Sequence, residues 1–336
     1  MSSPLISVQD LSVEIKTGRG LLKAIRGITF DINPGDAIGI VGESGCGKSI
    51  TLKAVLDLLP TNARVTGGKI LINGQDVSTL KPRERRALLS SNTSMIFQDA
   101  IAALNPVIKV GEQIAEVPRF RLGKSPEEAK EIALSLMAKV GISDGESRYE
   151  LYPHQLSGGL RQRIAIAIAL SGSPKVLFCD EPTTALDVTI QAQVLRLLKD
   201  LRDNSGLGIV FVTHDLAVVN QLCDDIKVMY AGKFVETGRV SNTFKKPTHP
   251  YTYSLLKSAP DPDQAVHRLF SISGEAPNLT QPVVACPFAP RCFAATEECL
   301  ASEPHLLTIK NSQSACFNNE GYLDWAAEDS RKSVKS

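Results

Sequence analysis

The sequence predicts an α/β fold on three observations. Residues 37–41 form a short apolar run that breaks into a glycine-rich turn and continues with helical spacing to residue 59. Residues 175–179 form a second apolar run, which ends on Asp180 and Glu181. Residues 209–213, 215–222 and 226–230 then alternate strand, helix and strand signals before the turn Ala231-Gly232. Strands separated by helices are the pattern of an α/β core.

Between the first two runs the pattern is helical. Residues 125–140 open with Ser-Pro-Glu-Glu and carry apolar side chains at helical spacing, and residues 159–170 read as another helix. An α-helical subdomain over residues 99–171 is expected. The run Lys81-Pro82-Arg83-Glu84-Arg85-Arg86 is mixed in sign and opens a helix, so it reads as a solvated face and not a nucleic-acid patch. From Ser241 onward the texture changes, because 9 of the 19 prolines and 4 of the 7 cysteines lie there. The expected organisation is an α/β domain over residues 1–240, a small cysteine-containing extension over 241–328 and a polar, disordered tail over 329–336.

Composition narrows the function classes. The chain has 336 residues, 43% of them hydrophobic, enough for real cores. Lys plus Arg (37) against Asp plus Glu (36) leaves a net charge of +1, so no global basic field attracts nucleic acid or an anionic membrane. No stretch approaches the roughly 18 apolar residues of a membrane-spanning helix, and residues 1–10 lack a secretory signal pattern. A cytosolic location is expected, where the cysteines stay reduced.

Gly42-Glu43-Ser44-Gly45-Cys46-Gly47-Lys48-Ser49 fits G-x-x-x-x-G-K-[ST], and it lies where that motif functions, after a strand and before a helix. The glycines let backbone N–H groups turn inward onto phosphate oxygens, and the helix start adds partial positive charge. Lys48 is expected on the β- and γ-phosphates and Ser49 on Mg²⁺. The dinucleotide pattern G-x-G-x-x-G is absent here, which argues against a dehydrogenase. Cys46 reads as a tolerated small residue or, beside Lys48 and a helix N-terminus, as a reactive thiol.

Asp180 and Glu181 end an apolar strand, which suits Asp180 to the Mg²⁺ shell and Glu181 to polarising a water near the γ-phosphate. Leu156-Ser157-Gly158-Gly159-Leu160-Arg161-Gln162 offers a second anion site, with Ser157 capping a helix and the glycines leaving its first N–H groups open. These segments, with Gln98 after a strand, Ala185-Leu186-Asp187, and His214 in Val212-Thr213-His214-Asp215, resemble the ATP-binding-cassette family, in the family's order over residues 5–238. The resemblance implies a RecA-like P-loop cassette and a head-to-tail pair of cassettes sharing two ATP molecules. It implies that Ser157, Gly158 and Gly159 contact the partner cassette's ATP, that Gln98 joins the Mg²⁺ shell and His214 steadies the γ-phosphate. It further implies that Asp187 couples the two sites and Glu181 is the general base. Ile15 stands where the family usually has an aromatic that stacks on adenine.

Within the family, the chain is similar to ATPase subunits of dipeptide and oligopeptide importers. The residues are Val41-Gly42-Glu43-Ser44-Gly45, Met95-Ile96-Phe97-Gln98-Asp99, Leu104-Asn105-Pro106, Tyr152-Pro153-His154-Gln155-Leu156, Asp187-Val188-Thr189-Ile190-Gln191-Ala192-Gln193 and His249-Pro250-Tyr251-Thr252. Ala100 stands where relatives commonly carry Pro. The resemblance implies two transmembrane permease subunits, a second and different ATPase, and an extracytoplasmic peptide-binding protein. The chain would then sit peripherally on the cytoplasmic face of the membrane. Nickel, cell-wall peptides and antimicrobial peptides are the alternative cargoes. A soluble cassette ATPase acting on nucleic acid is the rival class; such proteins usually carry two cassettes or a long coiled-coil insertion, and this sequence has neither.

Cys286, Cys292, Cys299 and Cys316 are separated by five, six and sixteen residues. Four thiolates suit zinc or an iron–sulfur cluster, and the spacing does not choose between them. The resemblance to peptide-importer ATPases implies a [4Fe–4S] cluster. A redox-sensing role that gates hydrolysis is compatible with transport.

Overall fold

A computed structural model describes residues 3–99, 103–183, 187–258 and 271–319. Ala100, Ala185, Leu186 and the tail expected to be disordered lie outside the described residues. In chain order the first elements are strands β1 (Ile6–Thr17), β2 (Gly20–Ile32) and β3 (Ala37–Val41), helix α1 (Lys48–Val55), strands β4 (Ala63–Ile72) and β5 (Gln75–Asp76), helix α2 (Pro82–Asn92) and strand β6 (Thr93–Ile96). Helices α3 (Val110–Phe120), α4 (Pro126–Lys139), α5 (Gly145–Tyr149) and α6 (Gly158–Leu170) follow. Then come β7 (Val176–Asp180), α7 (Val188–Ser205), β8 (Gly208–Thr213), α8 (Leu216–Leu222), β9 (Asp225–Tyr230), β10 (Lys233–Arg239), α9 (Val240–Lys245) and α10 (Pro250–Ser258). The last elements are α11 (Glu297–Ala301), β11 (Leu307–Ile309) and β12 (Ser312–Ser314).

The described residues fall into two compact units. The first comprises those of Met1–Ser7, Asp31–Ala37 and Ile70–Val212. Its strands β6, β7 and β8 run parallel, with Ile96 opposite Cys179 and Asp180 opposite Val212. Val176, Leu177, Phe178, Cys179, Ile209, Val210 and Phe211 are wholly buried, the continuous apolar pattern of parallel strands covered on both faces. Between β6 and β7 the described elements are helical, and α3 and α4 pack on each other and on α6. The start of α4 follows from Ser-Pro-Glu-Glu: Ser125 Oγ accepts from the Glu128 N–H at 3.1 Å, and the Glu128 carboxylate accepts from the Ser125 N–H at 2.9 Å. Pro126 at the first helical position completes this capping box. At Lys81 the N–H donates to Glu84 at 3.2 Å, so the charged run does open helix α2.

The second unit comprises the described residues of Val8–Phe30, Ile38–Lys69 and Thr213–Ser336. Here the strand order is β11-β12-β10-β9-β3. β3 and β9 are parallel, pairing Val41 with Val228, while β9 and β10 form an antiparallel hairpin closed at Tyr230 opposite Lys233. Its two turn residues, Ala231 and Gly232, have φ of 49° and 77°, the left-handed pair that matches the strand twist. A side chain at Gly232 would also meet the Ala24 carbonyl oxygen at 2.7 Å. The cysteine-containing residues extend this sheet: β12 pairs with β10, Glu236 opposite Ser314, and β11 pairs with β12.

Candidate nucleotide site

In the second unit, β3 delivers the chain into the phosphate loop and α1 carries it away. Gly42 has φ 152°, and a Cβ there would meet the Met229 carbonyl oxygen at 2.2 Å and Cys46 Sγ at 2.8 Å. Gly47, at φ 117°, caps α1, and its Cβ would lie 2.9 Å from the Ala24 carbonyl oxygen. Only glycine fits these two positions, and its freedom at positive φ permits the loop's curl. Lys48 is buried, and its ammonium donates to the carbonyls of Gly42 at 2.7 Å and Glu43 at 3.0 Å. The cation thus lies inside the loop, placed to exchange carbonyl partners for phosphate oxygens. Ser44 and Gly45 are exposed at the rim and Ser49 is half-buried at the helix start.

Cys46 is only 7% exposed, and burial pushes its thiol up in spite of the Lys48 charge. Of the two readings of this residue, the structure supports a packed small side chain over a reactive thiolate.

Glu43 is held twice. Its N–H donates to Tyr251 Oη at 2.8 Å, and its carboxylate forms a two-pronged ion pair with Arg291 at 2.6 and 2.8 Å. His214 is exposed at the junction of β8 and α8, where Asp215 caps the helix by accepting from the N–H groups of Ala217 and Val218. Ile15 is half-buried in β1.

The first unit holds the other sequence-predicted residues. Asp180 is 3% exposed at the end of β7. Glu181 follows at φ 47°, a left-handed conformation unusual for its side chain, with its N–H donating to the Val212 carbonyl at 2.9 Å. Gln98 is exposed two residues beyond β6. Ser157 caps α6, accepting from the Leu160 N–H at 3.4 Å, and Asp187 caps α7, accepting from the Ile190 N–H at 2.9 Å. Ser157, Gly158, Gly159 and Asp187 line one cavity of about 450 Å³ with Arg163 and Ile190. A Cβ on Gly159 would press Ile190 at 3.2 Å, so that glycine serves packing, while Gly158 has open space beside it. Carboxylate and hydroxyl oxygens, as at Asp180 and Ser49, are the donor chemistry that suits Mg²⁺.

The four late cysteines are neighbours. The Cys286 N–H donates to the Cys299 carbonyl at 3.0 Å. Burial, then the other thiols, pushes Cys292 up to about 11 and Cys316 up to about 12. Among the described residues, however, no group of three or more His, Cys, Asp or Glu side chains is arranged to hold a metal ion. The sulfurs are close without forming a ligand shell. Nor is any helix among the described residues long and apolar enough to cross a membrane.

Sequence reasoning singled out the segment containing Tyr251 without a role for its hydroxyl, and missed Arg291 altogether. No local spacing signals a pair 248 residues apart in the chain.

Comparison with known proteins covers both parts of the chain. The family described as ABC transporter matches residues 25–184, and that described as oligopeptide/dipeptide transporter, C-terminal region, matches residues 235–299. The chain is 46% identical to the dipeptide transport ATP-binding protein DppD of Bacillus subtilis, over 86% of each chain. It is 42% identical to the oligopeptide transport ATP-binding protein OppD of Salmonella typhimurium, over 93% of each. Among solved structures, the dimeric post-hydrolysis state of the ATP-binding cassette MJ0796 bound to ADP and Pi superposes with a TM-score of 0.63 at 26% identity, covering 70% of this chain and 98% of that one.

Proposed function

The chain belongs to the ABC transporter family, and from that premise we propose how its residues work. It is an ATPase, the ATP-hydrolysing motor subunit of a peptide importer. The observation that carries the ATPase reading is the buried Lys48 ammonium held inside a glycine-shaped loop at the start of α1.

On this reading the loop N–H groups other than that of Glu43, which Tyr251 takes, and the Lys48 ammonium hold the triphosphate, with the α1 N-terminus adding to the positive field. Asp180, Ser49 and Gln98 would hold Mg²⁺, which when bound would neutralise charge on the triphosphate. Glu181 takes a proton from the attacking water as its oxygen bonds the γ-phosphorus and the bond to the ADP oxygen breaks. His214 steadies the γ-phosphate. Ser157, Gly158 and Gly159 contact the ATP of a partner cassette, and Asp187 links the two sites. The shared cavity of Ser157, Gly158, Gly159 and Asp187 supports that grouping.

The partners on this reading are two membrane-spanning permease subunits, a second ABC ATPase in a heterodimer, and an extracytoplasmic peptide-binding protein, with the chain peripheral on the cytoplasmic face. Exposed apolar side chains in or beside the helical segment support a docking role: Phe97 is 43% exposed, Val107 78% and Phe120 77%. Nothing favours nucleic acid, since the basic run in α2 is interrupted by Glu84 and the net charge is +1. The proposed organisation remains an ATPase domain over residues 1–240 and an extension over 241–328.

Cys286, Cys292, Cys299 and Cys316 are proposed to hold a [4Fe–4S] cluster, with zinc the competing occupant. Four cysteines within one short extension are the support for this; the described side chains do not themselves form a ligand shell. No step of the ATP cycle runs through it. Anaerobically purified protein is expected to carry about four irons per chain; zinc in their place, or no metal, contradicts the assignment.

The mechanism is tested by Glu181→Gln, which is expected to bind ATP and trap the closed dimer while losing turnover. Undiminished turnover rejects Glu181 as base.

A further inference from the structure

We propose that Arg291 and Tyr251 are positioning residues for the phosphate loop, through which the cysteine-containing extension sets the affinity for ATP. The inference rests on reading the loop as an ATP site and assigns two residues beyond its motif.

Three observations carry it. First, Arg291 spends all five of its N–H donors in one place. Its two terminal nitrogens grip the Glu43 carboxylate at 2.6 and 2.8 Å and also reach Tyr230 Oη and the Ile272 carbonyl, each at 3.3 Å, while Nε donates to the Ser273 carbonyl at 2.9 Å. Its side chain is 5% exposed. A guanidinium so fully partnered is fixed in direction, and the carboxylate it grips is fixed with it.

Second, the Glu43 N–H is taken by Tyr251 Oη at 2.8 Å, and Tyr251 cannot drift. It is wholly buried, its ring centroid 4.6 Å from that of Tyr230 and 5.3 Å from that of Phe288. Its own N–H donates to His249 Nδ1 at 3.0 Å, and the His249 N–H donates to the buried Glu236 carboxylate at 3.0 Å. A continuous set of bonds therefore runs from β10 to the second residue of the loop.

Third, Phe288 and Arg291 both come from the segment bracketed by Cys286 and Cys292. The extension thus meets the loop through a short stretch tied to two of the four cysteines.

The loop needs such support for two reasons. Glycines at positions 42, 45 and 47 permit its curl but do not enforce it, and a loop held in its binding shape does not lose that freedom again when ligand arrives. Glu43 also places a carboxylate beside a polyphosphate site, where its charge opposes the ligand unless a cation pairs with it. Arg291 is that cation. The electrostatic part makes a signed prediction: removing Arg291 should harm ATP binding chiefly because it leaves Glu43 charged.

The test is an equilibrium titration of the full-length chain with a fluorescent ATP analogue, together with steady-state ATPase kinetics and thermal melting. Arg291→Met is expected to weaken nucleotide binding about tenfold, in line with loss of a charged hydrogen-bonded pair, and to raise KM more than it lowers kcat. In a Glu43→Gln background the same substitution is expected to cost about twofold or less, because no unpaired carboxylate remains. Arg291→Lys should restore part of the loss. Tyr251→Phe, which removes one hydroxyl and keeps the packing, should weaken binding several-fold without a matching fall in melting temperature. Wild-type affinity and KM in both Arg291→Met and Tyr251→Phe would overturn the proposal, as would an equal loss with and without the Glu43 charge. Lys48→Ala serves as the reference: if it leaves nucleotide binding intact, the ATP-site reading itself fails, an outcome distinct from normal binding in the Arg291 and Tyr251 variants alone.

Discussion

Cys46 shows how burial decides what a side chain does. Beside a lysine and at the mouth of a helix a thiol is disposed to ionise, yet at 7% exposure the lost hydration outweighs the Lys48 field and the thiol stays protonated. Iodoacetamide at neutral pH should therefore leave ATPase activity intact, and Cys46→Ser should retain it; rapid inactivation that bound ATP prevents would contradict this. Glu181 makes the complementary point. Its place after an apolar strand marks it in the sequence, but its φ of 47° does not, because nothing in a glutamate predicts a left-handed backbone. With Glu181→Gln the turnover of the complete importer is expected to fall at least about a hundredfold, within the range of a lost general base, with ATP binding unchanged. Arg291 marks the opposite limit of legibility: its partner is 248 positions away, and no local pattern encodes the pairing.

At the scale of elements, β3, β7, β8, β9 and helices α1, α4, α6 and α8 were legible because apolar period and chain punctuation agree there, whereas β1, β2, β4 and α7 were not assigned. The capping box that starts α4 is written in four consecutive residues, and Ser125→Ala should lower the unfolding free energy by about 1 kcal/mol in urea titrations. Strands β11 and β12 were not legible, since three residues each are too few to display a period of two. They form because β10 offers an open edge and Ser314 Oγ donates to the Thr248 carbonyl at 3.0 Å. The segment from Thr248 to Tyr251 beneath them depends on a neutral histidine. Burial pushes His249 down to about 3 from an ordinary value of 6.5. Between those values the unfolded chain binds a proton that the folded chain does not, so stability falls as pH drops through that window. Glu303 acts in the same direction. Burial raises its carboxyl, but the hydrogen bonds from Arg26 and Lys233 outweigh burial and hold it below 4.5, so its contribution too is lost on acidification. The melting temperature should decline from pH 6.5 downward, and His249→Gln should flatten the upper part of that decline; equal slopes in the two proteins would contradict the histidine's part.

For the whole molecule, the motifs and the comparisons converge. The phosphate loop, the carboxylates of Asp180 and Glu181 at the end of β7 and the Ser157-Gly158-Gly159 helix start are chemistry written in short runs, and the sequence places them in order. What short runs do not contain is the support those pieces receive, Tyr251 and Arg291 from the extension, or the way helix α11 and the chain around it bring four thiols into one neighbourhood. The central claim is that this chain is the ATP-driven motor of a peptide importer. Its most direct test is peptide uptake by proteoliposomes reconstituted with the chain, its permeases, the proposed second ATPase and the peptide-binding protein. With ATP on the cassette side, labelled peptide should accumulate with wild-type chain and not with Glu181→Gln or Lys48→Ala. Equal accumulation without ATP, or with either variant, would contradict the claim.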